Sequence, residues 1–237
     1  MKIFAYVLSV LAFVALAGIY GAACWLEYEL WAIVVWGAMI LAIPIASFVH
    51  ELGHVIFGAV CGIKARPRFS LFGSSSCEII PKKETNLRTR TLITSLGGIL
   101  VNLFIAVVFL TLIGLDILPV WCSAIIPANM YLALLNTIPA QLYSGKTDGL
   151  VANNLIANTD EAKVILAVLT VQAQVLNGKP IEAVDEKLLF DVPQIQEDDQ
   201  AFISLTELRY EYFNAKGENE QAEKYKARLE DLKQYLD

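Results

Sequence analysis

Four apolar runs, at residues 3–24, 31–62, 92–115 and 121–142, follow one another along the first 150 residues, and a more polar stretch completes the chain. About 20 apolar residues are needed for a helix to cross the hydrocarbon layer, so the runs predict about four membrane spans. At about 1.5 Å per residue the second run is longer than a bilayer core is thick. It is therefore expected to tilt, to bend near Pro44, or to project from the membrane at its second end. The first run begins after Lys2 and closes on Gly21-Ala22-Ala23 before Cys24, which also fits a signal peptide. Residues 1–23 thus have two readings, a span or a cleaved leader.

The polar connections carry their own patterns. Within 63–91, the segment PRFSLFGSSSCEII (67–80) sets β-prone runs on either side of Gly73 and three serines, which predicts a hairpin. Beyond residue 150, EAKVILAVLTVQAQVL (161–176) is apolar but short and holds two glutamines, so it reads as a core helix rather than a fifth span. Another helix is expected to begin at Lys179-Pro180, since proline is tolerated in a first turn. A similar unit recurs in AFISLTELRYEYFNAKG and NEQAEKYKARLEDLKQYL, where Ala222, Tyr225, Leu229, Leu232 and Leu236 mark one helical face. Gly178 and Gly217 sit at matching turns. The tail resembles a pair of tetratricopeptide-type helical hairpins, with the consensus only partly present and a long DVPQIQEDD connection. Two repeats are few for a free-standing solenoid, which implies docking on the membrane part or on a protein partner; a plain helical cap is the other reading. The predicted fold class is mainly α: a polytopic membrane helical bundle over 1–150 with a small β-hairpin loop, then a soluble α-helical hairpin-repeat domain over 151–237.

Composition agrees with a membrane protein, the chain being 56% hydrophobic and only 18% charged. Residues 1–150 hold nine Lys and Arg against seven Asp and Glu, and residues 151–237 hold nine against seventeen, within a net charge of −6. The acidic balance and the lack of a basic patch interleaved with aromatics argue against nucleic acid as a partner. Lys64, Arg66, Arg68, Lys82, Lys83, Arg88 and Arg90 crowd the 63–91 segment, whereas the loop at Glu27 and Glu29 has no positive charge. The positive-inside rule then puts 63–91, the N-terminus and the tail in the cytoplasm of a multi-pass cell-membrane protein. Cys24, Cys61, Cys77 and Cys122 are scattered and indicate neither a disulfide framework nor a thiolate zinc site.

Against this apolar background the stretch AIPIASFVHELGHVIFGAV stands out. His50 and His54 are i and i+4 on a helix, so both imidazoles leave one face one turn apart and can bind one zinc ion, with Glu51 beside them. This is the HExxH metalloprotease pattern. Ionisable groups inside a span are costly and tend to be functional, and both histidines of the chain are here. Zinc needs a third protein ligand. The remaining carboxylates and cysteines of the membrane part are candidates, of which Asp148 stands out because it follows the last span in NTIPAQLYSGKTDG (136–149); a helix N-cap or turn role for Asp148-Gly149 is the alternative.

With these two stretches, the chain resembles the site-2 protease family of intramembrane zinc metalloproteases, over about residues 31–150. That family pairs a membrane HExxH with a later Asn-x-x-Pro segment that ends in Asp-Gly. The resemblance implies zinc held by His50, His54 and Asp148, with Glu51 as the catalytic residue. Asn136 and Pro139 match the second motif, Asn136 either as a hydrogen-bond donor to substrate or oxyanion or as a helix breaker. SLGGILVN (95–102) is similar to the family's small-residue motif, with Gly97 and Gly98 expected to let helices approach closely. The sequence departs from the pattern between Pro139 and Asp148, which are separated by several extra residues, and at Thr147, where leucine is common. The implied substrates are membrane-anchored regulators or leftover signal peptides. The hairpin, through Phe69 and Leu71, is then a candidate clamp for an unwound substrate strand or an ordinary connection. A catalytically inactive scaffold that binds partners through its helical tail is the rival expectation, and intact Glu51 weighs against it. Gly145-Lys146-Thr147 invites comparison with a phosphate-binding loop, but Ala140 replaces the first glycine and an apolar span replaces the required strand, so no nucleotide partner is expected.

Overall fold

The computed structural model describes residues 2–28, 32–68, 76–142 and 145–232. They are mainly helical, in the order α1 (Lys2–Tyr28), α2 (Ala32–Cys61), β1 (Ile63–Arg68), β2 (Ser76–Pro81), α3 (Leu87–Gly114), α4 (Ile125–Thr137), β3 (Gln141–Leu142), β4 (Gly145–Lys146), α5 (Asp148–Ala157), α6 (Asp160–Leu176), α7 (Lys187–Phe190), α8 (Gln200–Lys216) and α9 (Asn219–Leu232). The chain divides into two compact units. The first comprises Met1–Cys61, Ala65–Glu78 and Leu92–Asn153; the second comprises Gly62–Lys64, Ile79–Thr91 and Asn154–Asp237.

Among the described residues, three helical stretches are long and apolar enough to cross a membrane: Gly37–Cys61, Leu87–Gly114 and Val120–Thr137; Phe13–Ala22 in α1 is a shorter apolar stretch. Leu41, Val60, Phe104 and Leu110 point outward and are more than half exposed. Apolar side chains in such positions are what a lipid-facing surface requires. Pro44 lies inside α2, and the helix continues through it. The last predicted span ends at Thr137 rather than at 142, because Pro139 forces Ile138 into an extended conformation with ψ 123 and the helix cannot pass. A 3-10 turn, Val120–Ala124, supplies the entry to α4.

In the first unit α1, α2 and α4 pack on one another. Ala42 and Ala46 of α2 meet Ala128 of α4, with Ile43, Ile125 and Leu132 around them. Helices α2 and α3 approach through glycine: a Cβ on Gly53 falls 2.5 Å from the Gly97 carbonyl oxygen, and one on Gly97 falls 2.7 Å from that of Gly53. Only hydrogen fits between these backbones, and removing side chains is how membrane helices gain contact where no hydrophobic force separates protein from lipid. Gly97 has the packing role expected of it. Gly98 makes room for something else, the His50 imidazole, whose ring lies 2.5 Å from where its Cβ would be.

Strands β1 and β2 pair as a two-stranded sheet, consistent with the predicted hairpin loop. Phe69 and Leu71, on which the clamp expectation rests, lie outside the described residues.

The second unit is built round an apolar core of Val164, Val168 and Val171 from α6, Leu189 from α7, Phe202, Leu205, Leu208 and Tyr212 from α8, and Leu232 from α9. Thr159 caps α6 by accepting from the Ala162 N–H, and Asp199 caps α8 through the Ala201 N–H. Residues 79–91 belong with this unit: Arg88 donates to the Leu155 and Ile156 carbonyls at the end of α5, and Asn177 donates to the Lys82 carbonyl. The recurring pattern forms, over its described residues 201–232, the helical hairpin α8–α9, closed by Gly217 at φ 74; Ala222 and Leu232 are buried as the periodicity predicts, and Leu236 lies outside the described residues. The helix expected from Lys179-Pro180 is absent. After Gly178, at φ 87, the chain makes only a 3-10 turn, Ile181–Ala183, and the four-residue α7, because Pro180 and Val184 flank that turn with extended backbone. The side chain of Asp185 then satisfies the Lys187 N–H that a continuous helix would have used.

Gly53→Ala should force α2 and α3 apart, because the new methyl meets rigid backbone. Reversible unfolding of the purified protein in mixed detergent is expected to show a loss of about 1–3 kcal/mol, the usual cost of an overpacked contact.

Candidate functional site

His50, Glu51 and His54 lie on one stretch of α2 and are only 6%, 5% and 6% exposed. The one-turn spacing puts the two imidazoles together, with ring centres 5.0 Å apart and planes nearly perpendicular at 85°. Asp148, the first residue of α5, joins them from a distant part of the chain: its Oδ2 is 2.9 Å from His50 Nε2 and 3.4 Å from His54 Nε2. One ligand atom from each residue falls within 4.8 Å of the others, a spacing that could hold a metal ion.

The hydrogen bonds behind the rings determine which nitrogen atoms carry protons. His54 Nδ1 is 2.8 Å from the Thr94 carbonyl oxygen, which only accepts, so Nδ1 bears the proton. His50 Nδ1 is 2.6 Å from Asn102 Oδ1. The amide of Asn102 is oriented without ambiguity because its Nδ2 donates to the Ala46 carbonyl at 3.1 Å and to Asn129 Oδ1 at 2.7 Å. Asn129 is oriented in turn by donating to the Ile125 carbonyl at 2.8 Å. His50 Nδ1 must therefore donate to Asn102. In the neutral imidazoles both Nε2 atoms then present lone pairs to a carboxylate. Three electron-rich atoms at this separation need positive charge among them, either extra protons on the rings or a cation. Two histidines oriented through Nδ1–H with Nε2 turned to a carboxylate could hold a metal ion, and outer partners of this kind fix tautomer and ring orientation in metal sites.

Glu51 is on the same helix and does not join the three ligands. Its Oε2 is buried with no hydrogen-bond partner. An unpartnered buried carboxylate oxygen is costly and calls for an explanation. Asn136, at the end of α4, turns its amide to its own helix, Nδ2 donating to the Leu132 carbonyl at 3.1 Å. Pro139 is exposed and ends the helix.

Several contributors were not singled out from the sequence. Asn102 and Asn129 are fully buried polar residues in apolar runs, at 0% and 1% exposure. That polarity is a signal in itself, but their partner is defined only in three dimensions. Cys77 on β2, read as one of four scattered thiols, is near enough to feel the carboxylates. Burial first, then the charges of Glu51 and Asp148, push its thiol up to about 12.

Two outcomes are expected. Asn102→Ala should weaken metal binding by 10–100-fold, the usual effect of losing a partner behind a ligating histidine, as read by competition with a chromophoric chelator. In metal-free protein retaining Cys77 alone, alkylation at pH 8 should be at least about a hundredfold slower than in the denatured chain and should rise steadily up to pH 11. The thiolate is the reactive form, and a raised pKa removes it at pH 8.

Comparison with protein-family models, with curated proteins and with solved structures found no match.

Proposed function

We propose that this chain is an intramembrane zinc metallopeptidase that hydrolyses a peptide bond of a membrane-spanning or membrane-anchored substrate. The observation that carries the reading is the conjunction of two neighbouring features: a His50, His54 and Asp148 cluster that could hold a metal ion, and a buried carboxylate oxygen of Glu51 that lacks a partner. Two imidazoles and one carboxylate are a standard zinc set that leaves a position open for chemistry. When bound, zinc supplies a Lewis acid that makes water a nucleophile near neutral pH and polarises a carbonyl.

The residues of the chain supply the rest. Glu51 Oε2 accepts a proton from the attacking water as a carbon–oxygen bond forms at the scissile carbonyl. Glu51 then returns that proton to the leaving nitrogen as the carbon–nitrogen bond breaks, so the carboxylate is regenerated. His50 and His54 stay fixed through Asn102 and the Thr94 carbonyl, which keeps both Nε2 atoms available. In this reading the four apolar runs are spans of a multi-pass cell-membrane protein. The basic 63–91 segment and the 151–237 helical domain are cytoplasmic, and the latter recruits or gates substrate through a protein contact.

Zinc per chain and cleavage test the reading together. Detergent-purified wild type is expected to hold about one zinc, His54→Ala to lose it and Asp148→Ala to bind it weakly. Glu51→Gln should keep zinc and lose turnover of a membrane-anchored peptide library by at least about a hundredfold. Well-folded wild type that takes up no zinc overturns the metal assignment, and undiminished turnover in Glu51→Gln overturns the general-base role.

A further inference from the structure

The chain between α4 and α5 solves a geometric problem. Asp148 must meet two histidines on another helix, yet it is preceded by extra residues that make its position hard to define. Four of these residues, Gln141, Leu142, Gly145 and Lys146, are strand residues. Gln141 faces Lys146 and Leu142 faces Gly145 in an antiparallel pair, β3 with β4. At the base of this excursion Ala140 and Thr147 come back together, the Thr147 N–H donating to the Ala140 carbonyl at 3.1 Å.

The Thr147 hydroxyl ties the junction. Its proton has the Ile138 carbonyl at 2.7 Å, just beyond the last turn of α4, as the nearer acceptor and the Ala140 carbonyl at 3.1 Å as the farther one. The hydroxyl oxygen accepts from the Ala140 N–H at 3.1 Å and from the Leu150 N–H at 3.2 Å. A hydroxyl has one proton to give and two lone pairs to fill, and all three are committed here. The side chain is only 2% exposed. One oxygen therefore caps the start of α5, closes the base of the β3–β4 excursion and holds the exit from α4. On the other side of Asp148, a Cβ on Gly149 falls 2.3 Å from the Thr137 carbonyl oxygen, so the next residue is pressed against the end of α4 as well.

We infer that Thr147 is a positioning residue for the metal cluster: its hydroxyl sets where the Asp148 carboxylate meets His50 and His54. The inference rests on the metal reading proposed above. Thr147 touches neither metal nor substrate. It acts by fixing the backbone one residue before a ligand whose Oδ2 must reach two nitrogens at once. Valine has the shape of threonine and lacks the oxygen, leaving the Ala140 N–H without its acceptor and the Leu150 N–H with the Thr147 carbonyl alone. Serine keeps the oxygen and loses only a methyl group.

The experiment is zinc titration of full-length protein in detergent against a chromophoric chelator, for wild type, Thr147→Val, Thr147→Ser and Thr147→Ala. Thr111→Val, which deletes an exposed hydroxyl bonded only within α3, serves as the control. Thr147→Val and Thr147→Ala are expected to bind zinc about tenfold or more weakly, with Thr147→Ser within about threefold of wild type and Thr111→Val unchanged. With cobalt at saturating concentration, the visible ligand-field bands should shift in Thr147→Val and return in Thr147→Ser, a response that a general loss of stability does not produce. Wild-type affinity in Thr147→Val overturns the inference, and so does equal weakening in Thr147→Ser, which makes the methyl packing decisive. If Thr147→Val fails to fold, Thr147→Ala against Thr147→Ser decides between the same outcomes. Wild type that binds neither ion removes the metal reading itself, and the inference with it, a result distinct from any difference among the variants.

Discussion

Two buried imidazoles and a largely buried carboxylate are held together where unbalanced charge is more costly than in water, and much of the first unit is arranged around that fact. Helix α2 supplies both rings from one turn, and α3 gives up a side chain at Gly98 so that one ring fits. Helices α3 and α4 contribute the amides that decide which nitrogen faces inward. The glycine contact between α2 and α3 brings the Thr94 carbonyl within reach of His54. Packing and chemistry are therefore not separable here. The same close approach that substitutes for a hydrophobic driving force also orients a ligand.

The buried amide chain from Ile125 through Asn129 and Asn102 to His50 illustrates why polar groups are retained in apolar helices. Each donor in it has an acceptor, so the network does not incur the penalty of an unmet polar group. It also has a direction. Backbone carbonyls at Ala46 and Ile125 can only accept, which removes any freedom to flip either amide. Glu51 differs, since its Oε2 is left without a partner in the same environment. The hydrogen-bonded network is thus fixed in direction beside one carboxylate oxygen that has no partner.

Much of this was legible in the sequence, because hydrophobic run length and the i, i+4 spacing are local properties. The helices α2 and α3, the pair His50 and His54, the small-residue contact at Gly97 and the α8–α9 hairpin all follow from residues close together in the chain. Asp148 was a candidate by motif position, but its approach to the histidines depended on how the residues after Pro139 are stored, and no periodicity reports that. Asn102 was visible as a polar residue in an apolar run, with no means of knowing that His50 lay opposite. The helix expected at Lys179-Pro180 failed for a local reason: proline suits a first turn, but the backbone at Val184 is extended and Asp185 captures the Lys187 N–H, so the helical ladder is interrupted before it can propagate.

The small β3–β4 excursion has a consequence for how such a chain can change over time. Because Ala140 and Thr147 are bonded to each other, the β3–β4 pair leaves and rejoins the chain at one neck, and Asp148 follows directly from it. A change of length beyond the neck is expected to fall on the β3–β4 ribbon rather than on Asp148. The spacing between Pro139 and Asp148 along the sequence is thereby uncoupled from the distance between them in space.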